Sequence, residues 1–152
     1  MTRIIQDHKW YILDKDKNVK KASFEEYSKF MMVGNDRQIE LTNVGDTTIS
    51  TVFLGLGHGS SGNLWFETMT FGISEEDDEI CERYGLWTNA VIGHVWITCQ
   101  EILKMFENRM SEPYFDIEKE AVKILSTIEN MHIDKSLELF NKALDEYLGA
   151  TS

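Results

Sequence analysis

Cysteine is nearly absent from this chain: Cys81 and Cys99 are the only two in 152 residues. One lies in an acidic stretch and the other in an apolar run, with no CxxC and no Cys/His spacing. That excludes a disulfide framework and a structural zinc site, and it predicts a protein of a reducing cytoplasm. Long apolar runs are also lacking. No apolar core follows Met1, and no stretch approaches the roughly 18 residues of a membrane helix, so neither a leader nor a membrane span is expected. Basic residues are scarce, 15 Lys and Arg against 26 Asp and Glu, for a net charge of -11. Such a surplus repels phosphate backbones and argues against nonspecific nucleic-acid binding, although a locally positive pocket stays open. Proline occurs once, at Pro113, where it marks a break before the last helical segments.

What is present suits one compact core. At 42% hydrophobic the chain can bury a single interior and is too short for two comfortable ones. Residues 1–110 read as an α+β core domain. Residues 111–152 read as a helical extension, either packed on that core or mediating oligomerisation.

The segment Lys9 to Leu13 reads as a strand followed by the turn DKDKN. A helix then starts at Ser23, where Ser23 and Glu26 match a capping box, and Phe24, Tyr27, Phe30 and Met31 recur at helical spacing until Gly34. A strand through Ile39 and Leu41 turns at Val44, Gly45 and Asp46 into the run Thr47 to Leu54, rich in β-branched and aromatic residues. Leu64 to Phe71 returns as a third antiparallel strand and ends at Gly72. Ile73 to Glu82, with its acidic stretch at 75–79, reads as a solvated linker without a calcium-loop pattern.

Leu86 to Arg109 predicts the longest helix, apolar on two sides. Trp87, Val91, His94, Thr98, Ile102 and Met105 form the stripe expected on the sheet. Ile92, Trp96, Cys99, Leu103 and Phe106 form a second stripe that needs another cover. Asp116 to Ile128 and Lys135 to Leu148 each present one apolar face and supply that cover, within one subunit or between copies; a homo-oligomer is expected. The fold class is therefore α+β, an antiparallel sheet of about four strands packed by a long helix, with a C-terminal helical pair.

The densest chemistry lies between the two central strands, where STVFLGLGHGSSGNLWFETMTF holds four glycines and one imidazole. Gly57, Gly59 and Gly62 match a dinucleotide fingerprint literally. That fingerprint needs a helix after it, and this loop leads into a strand. Loop amides can still cradle an anion. Ser60 and Ser61 flank no nucleophile elbow.

The passages VGDTTISTVFLGLGH, FETMTFG and ERYGLW, a later GH, and the opening WYILD are similar to a family of small proteins of tailed bacteriophages and prophages, generally of unknown function. The resemblance spans about Trp10 to Cys99 and implies a phage accessory protein in the host-cell cytoplasm, with no established reaction. The family's loop reads Leu-Gly-Leu-Asp-His, whereas Gly57 precedes His58 here. His58, Glu67, Arg83, Tyr84 and His94 stand at positions that the resemblance shares.

If the long helix crosses the sheet, these five are expected to converge on one cleft with Gly57 and Gly59. His58 and His94 would then move protons, Glu67 would orient one of them, and Arg83 would hold an anion. Each has a plainer reading: His94 as a core histidine, and Glu67 as the partner of Arg83. His58, His94 and Glu67 are too scattered to set a metal-ligand spacing, and neither metal nor cofactor is called for. The preferred reading is a binding protein, with counter-defence one such role, that sequesters a host protein or a small anionic, nucleotide-like ligand. The alternative is a small hydrolase of a phosphodiester or nucleotide, with His58 and His94 as acid and base.

Overall fold

The structure, a computed structural model, describes residues 10–32, 37–58, 62–72 and 79–151. It opens on a hairpin, β1 (Tyr11–Leu13) against β2 (Val19–Lys21). Asp14 fixes the turn between them, because its Oδ1 accepts the main-chain N–H of Asp16 and of Asn18, each at 2.9 Å. Such a carboxylate stands in for a backbone partner and makes the turn local.

Helix α1 (Phe24–Met32) follows. The Glu26 N–H donates to Ser23 Oγ and the Ser23 N–H to Glu26 Oε1, both at 3.1 Å, which is the reciprocal capping box that the sequence spells. Phe30 of this helix meets Phe53 edge-on at 5.7 Å.

The main sheet is antiparallel throughout, in the order β3 (Gln38–Val44), β4 (Thr47–His58), β5 (Leu64–Phe71), β6 (Cys81–Tyr84). Val44 pairs with Thr47, leaving a two-residue turn of Gly45 and Asp46, and Gly45 takes the positive φ of 59° that a tight turn of this hand favours. The antiparallel sheet of four strands and the short hairpin link are as expected from the sequence, and β3, β4 and β5 are the strands read there. The strand read at Lys9 to Leu13, however, pairs only with β2, in a sheet of its own. Strand β6 is different, since it begins inside the segment read as linker. Its Cys81, Glu82 and Arg83 are exposed, and a short charged run is what an edge strand tolerates, so charge masked the strand.

Helix α2 (Trp87–Met105) lies on the face of the sheet that carries Ile49, Thr51 and Phe53 of β4 and Phe66, Thr68 and Thr70 of β5, all fully buried. The first half of α2 places Ala90 and Val91 against Phe53, Phe66, Ile39 and Leu13. Its second half places Val95, Cys99, Ile102 and Leu103 in one cluster with Ala121 and Leu125 of α3 (Ile117–Leu125) and Phe140 and Ala143 of α4 (Ile133–Thr151). The Cys99 and Leu103 end of the second apolar stripe of α2 is thus covered by the chain's own C-terminal helices, while Ile92 at its other end is 45% exposed. Asp116 caps α3, its carboxylate accepting the Lys119 N–H at 3.2 Å.

Two departures from simple alternation shape β3. A bulge between Gln38 and Glu40 buries both Ile39 and Glu40, and Leu41 turns outward at 55% exposure, not inward as its hydrophobicity suggests. The buried Glu40 accepts from the Asn130 N–H at 2.6 Å and from its Nδ2 at 2.9 Å, while the Ile39 carbonyl accepts from Nδ2 at 2.7 Å. These bonds tie the α3–α4 connection to the sheet across 90 residues of chain. Among the described residues, no helix is long and apolar enough to cross a membrane.

Candidate functional site

His94 sits on the sheet-facing stripe of α2, fully buried. Its Nε2 lies 2.8 Å from Thr42 Oγ1 and its Nδ1 2.7 Å from Thr51 Oγ1, and Thr51 Oγ1 continues to Thr68 Oγ1 at 2.6 Å. A neutral imidazole has one donor and one acceptor nitrogen, so one threonine donates to the ring and the other accepts from it. Burial lowers the His94 pKa from 6.5 to about 4, which keeps it neutral and fully partnered. The Thr98 hydroxyl donates to the His94 carbonyl at 2.8 Å. Three strands and the helix are pinned together by this one ring.

Tyr84 extends the same chain of hydroxyls. Burial holds its phenol above the ordinary value, opposed by a hydrogen bond with Thr68. Its ring lies against Gly93, where an added Cβ would fall 2.2 Å from the phenol oxygen. Gly93 therefore seats Tyr84 while His94, the next residue, clamps the threonines, a structural account of both letters of the GH motif.

Glu67 and Arg83 occupy the other face. They are paired in register across β5 and β6, and Arg83 Nε donates to Glu67 Oε2 at 2.9 Å, with the carboxylate side chain 13% exposed. Their neighbours in the strands, Phe66, Thr68 and Tyr84, point toward α2, so the alternation of the pleat turns Glu67 and Arg83 away from it. Burial, together with Glu67, raises the pKa of Cys81. The expected common cleft is therefore not formed by Glu67, Arg83, Tyr84 and His94, because the sheet itself stands between the first pair and the second. His58 ends β4 opposite Leu64, but its side chain, like Gly59, lies outside the described residues. Gly57 has a steric role: a Cβ there would lie 1.8 Å from the Gly62 carbonyl oxygen, so only glycine lets the two loop arms meet.

A different surface is open. Between β6 and the outer side of α2 runs a groove of about 610 Å³ that exposes Ile92, Trp96, Tyr84, Asn89, Gln100 and Glu82. Trp96 and Gln100 also line an adjoining hollow of about 420 Å³ against α4, with Lys104, Glu146 and Tyr147. Ile92 is 45% exposed in a helix otherwise rich in buried aliphatics. No family model, curated protein or solved structure matches this chain.

Sequence reasoning placed Ile92 and Trp96 on the second stripe, and α4 covers the Cys99 and Leu103 end of it. It missed the groove because that surface depends on β6, whose strand character was hidden. The missing signal is the alternation Ile80, Glu82, Tyr84, which sends every second side chain toward α2.

Proposed function

We propose that this protein acts by binding a partner macromolecule, without turnover, and that its contact surface is the groove between α2 and β6. The observation that carries this reading is Ile92, nearly half exposed beside Trp96 and Tyr84 in a cavity that also offers the amides of Asn89 and Gln100. Concave, mostly apolar surfaces with a few placed polar groups are where proteins hold ligands and partners. The hydrolase reading loses its parts: His94 is buried and saturated by two threonines, and Arg83 is neutralised by Glu67 on the opposite face. The anionic-ligand reading weakens for the same reason, and the groove adds the carboxylate of Glu82 and the adjoining hollow that of Glu146. The resemblance to small tailed-phage proteins favours an accessory role in the host-cell cytoplasm, with sequestration of a host protein, including one of a defence system, as the form it takes.

The test has two arms. Purified protein incubated with a panel of nucleotides and phosphodiesters is expected to return every compound unaltered by chromatography. Affinity capture from a host lysate, run in parallel with Ile92→Asp, is expected to retain a partner on the parent protein alone. Turnover of any panel member that disappears in His94→Gln would overturn the reading.

A further inference from the structure

The geometry points to strand addition: we infer that the groove accepts an extended, basic polypeptide segment of a partner protein, which pairs with the free edge of β6 and sets an apolar side chain between Ile92 and Trp96. This rests on the groove being the binding surface and names the chemistry of what enters it. Strand β6 ends the sheet order, and among the described residues no strand pairs with its outer side. The direction of its main-chain groups follows from the register. The Thr70 N–H donates to the Ile80 carbonyl at 3.2 Å, so Thr70 and Ile80 form a hydrogen-bonded pair. Hydrogen-bonded and non-bonded pairs alternate along an antiparallel ladder, and no irregularity interrupts β5 and β6. Glu82 and Tyr84 therefore bond toward β5, and the N–H and C=O of Cys81 and Arg83 point outward, to the free edge.

The even-numbered side chains, Ile80, Glu82 and Tyr84, meanwhile face the groove together with α2. A strand laid on the outer edge of β6 is thus aligned so that every second side chain drops toward Ile92 and Trp96. A helix running beside an exposed sheet edge is a general arrangement for capturing extended peptides, with main-chain bonds giving affinity and alternate pockets giving selectivity.

Charge selects the segment. Among the described residues, Glu82 is the only charged group lining the cavity along β6. In the adjoining hollow Lys104 is already bound to Glu101 at 3.3 Å, which leaves Glu146. With -11 overall, this rim attracts Lys and Arg and repels acidic chains. The rings of Tyr84 and Trp96 also accept a cation on their faces.

A random decapeptide library displayed on yeast and selected on the full chain tests this directly. Expected are sequences that alternate apolar residues with Lys or Arg and bind at least tenfold more weakly to Ile92→Asp and to Glu82→Lys. Synthetic copies carrying N-methyl groups on alternate amides complete the test. One methylation register is expected to lose at least tenfold in affinity by fluorescence anisotropy, and the other to keep it, because only one set of amides faces β6. Equal tolerance of both registers, or acidic winners, overturns strand addition while leaving a groove-dependent binder in place. A second copy as the true occupant, seen as a dimer by sedimentation that Ile92→Asp splits, overturns it as well. Failure to select any binder that distinguishes the parent from Ile92→Asp removes the groove reading itself.

Discussion

At the scale of single residues, His94 is the most informative group. Its folded pKa of about 4 lies below the ordinary 6.5, so the unfolded chain binds the extra proton first as pH falls. Stability from this site is complete above about pH 6.5, declines as pH falls toward 4, and is lost below that, a total of about 3 kcal/mol. The difference in unfolding free energy between the parent protein and His94→Gln is therefore expected to shrink by about that amount between pH 7 and pH 4. A constant difference in denaturant titrations would contradict the neutral clamp. Gly93→Ala makes a second case. The new methyl would meet the Tyr84 ring 2.2 to 2.4 Å away, and overpacking of this kind costs about 1 to 3 kcal/mol. Thermal melts and tyrosine fluorescence are expected to report the loss of stability and the displaced ring together.

The elements divide by how much of their logic is local. Helix α1 is legible because Ser23 and Glu26 lie three residues apart and bond each other. Ser23→Ala is expected to destabilise the protein by about 1 kcal/mol in chemical denaturation, with the long helix unaffected. Strands β4 and β5 were legible for a similar reason, since β-branched and aromatic residues concentrate on a pleated surface with one face buried against a helix. Strand β6 was not, because its four residues are mostly exposed and its identity comes from pairing with Thr68 and Met69 far back in the chain. The assumed site failed at the same scale. Glu67 and His94 can both be placed near the middle of their elements from sequence, but which face of the sheet each occupies depends on the parity of β5 relative to α2. One residue of register reverses that parity. Leu41 shows the effect: the bulge before Glu40 sends a leucine outward and a carboxylate inward.

For the whole molecule, the C-terminal helices complete the core. Cys99, Ile102 and Leu103 of α2 share their cluster with Leu125 and Phe140, and burial pushes the Cys99 thiol up to about 12, protonated and inert in that interior. A chain cut at residue 110 would expose this entire side of α2. It is expected to lack a cooperative melting transition, whereas Phe140→Ala in the full chain is expected to fold with a loss of about 3 to 5 kcal/mol. Cooperative unfolding of the cut chain at the parent's temperature would show that the helices are an appendage.

The polar residues His94, Thr42, Thr51 and Thr68 hold the frame, and the groove beside β6 is the surface proposed to meet a partner. The most direct measurement is amide hydrogen exchange of the full chain with and without a decapeptide selected on it. Slowed exchange at Cys81 and Arg83, with Gly57 and Gly62 unchanged, is the outcome this account expects. Protection that appears at Gly57 and Gly62, or on the face of Glu67, while the amides of β6 exchange as before, would contradict it.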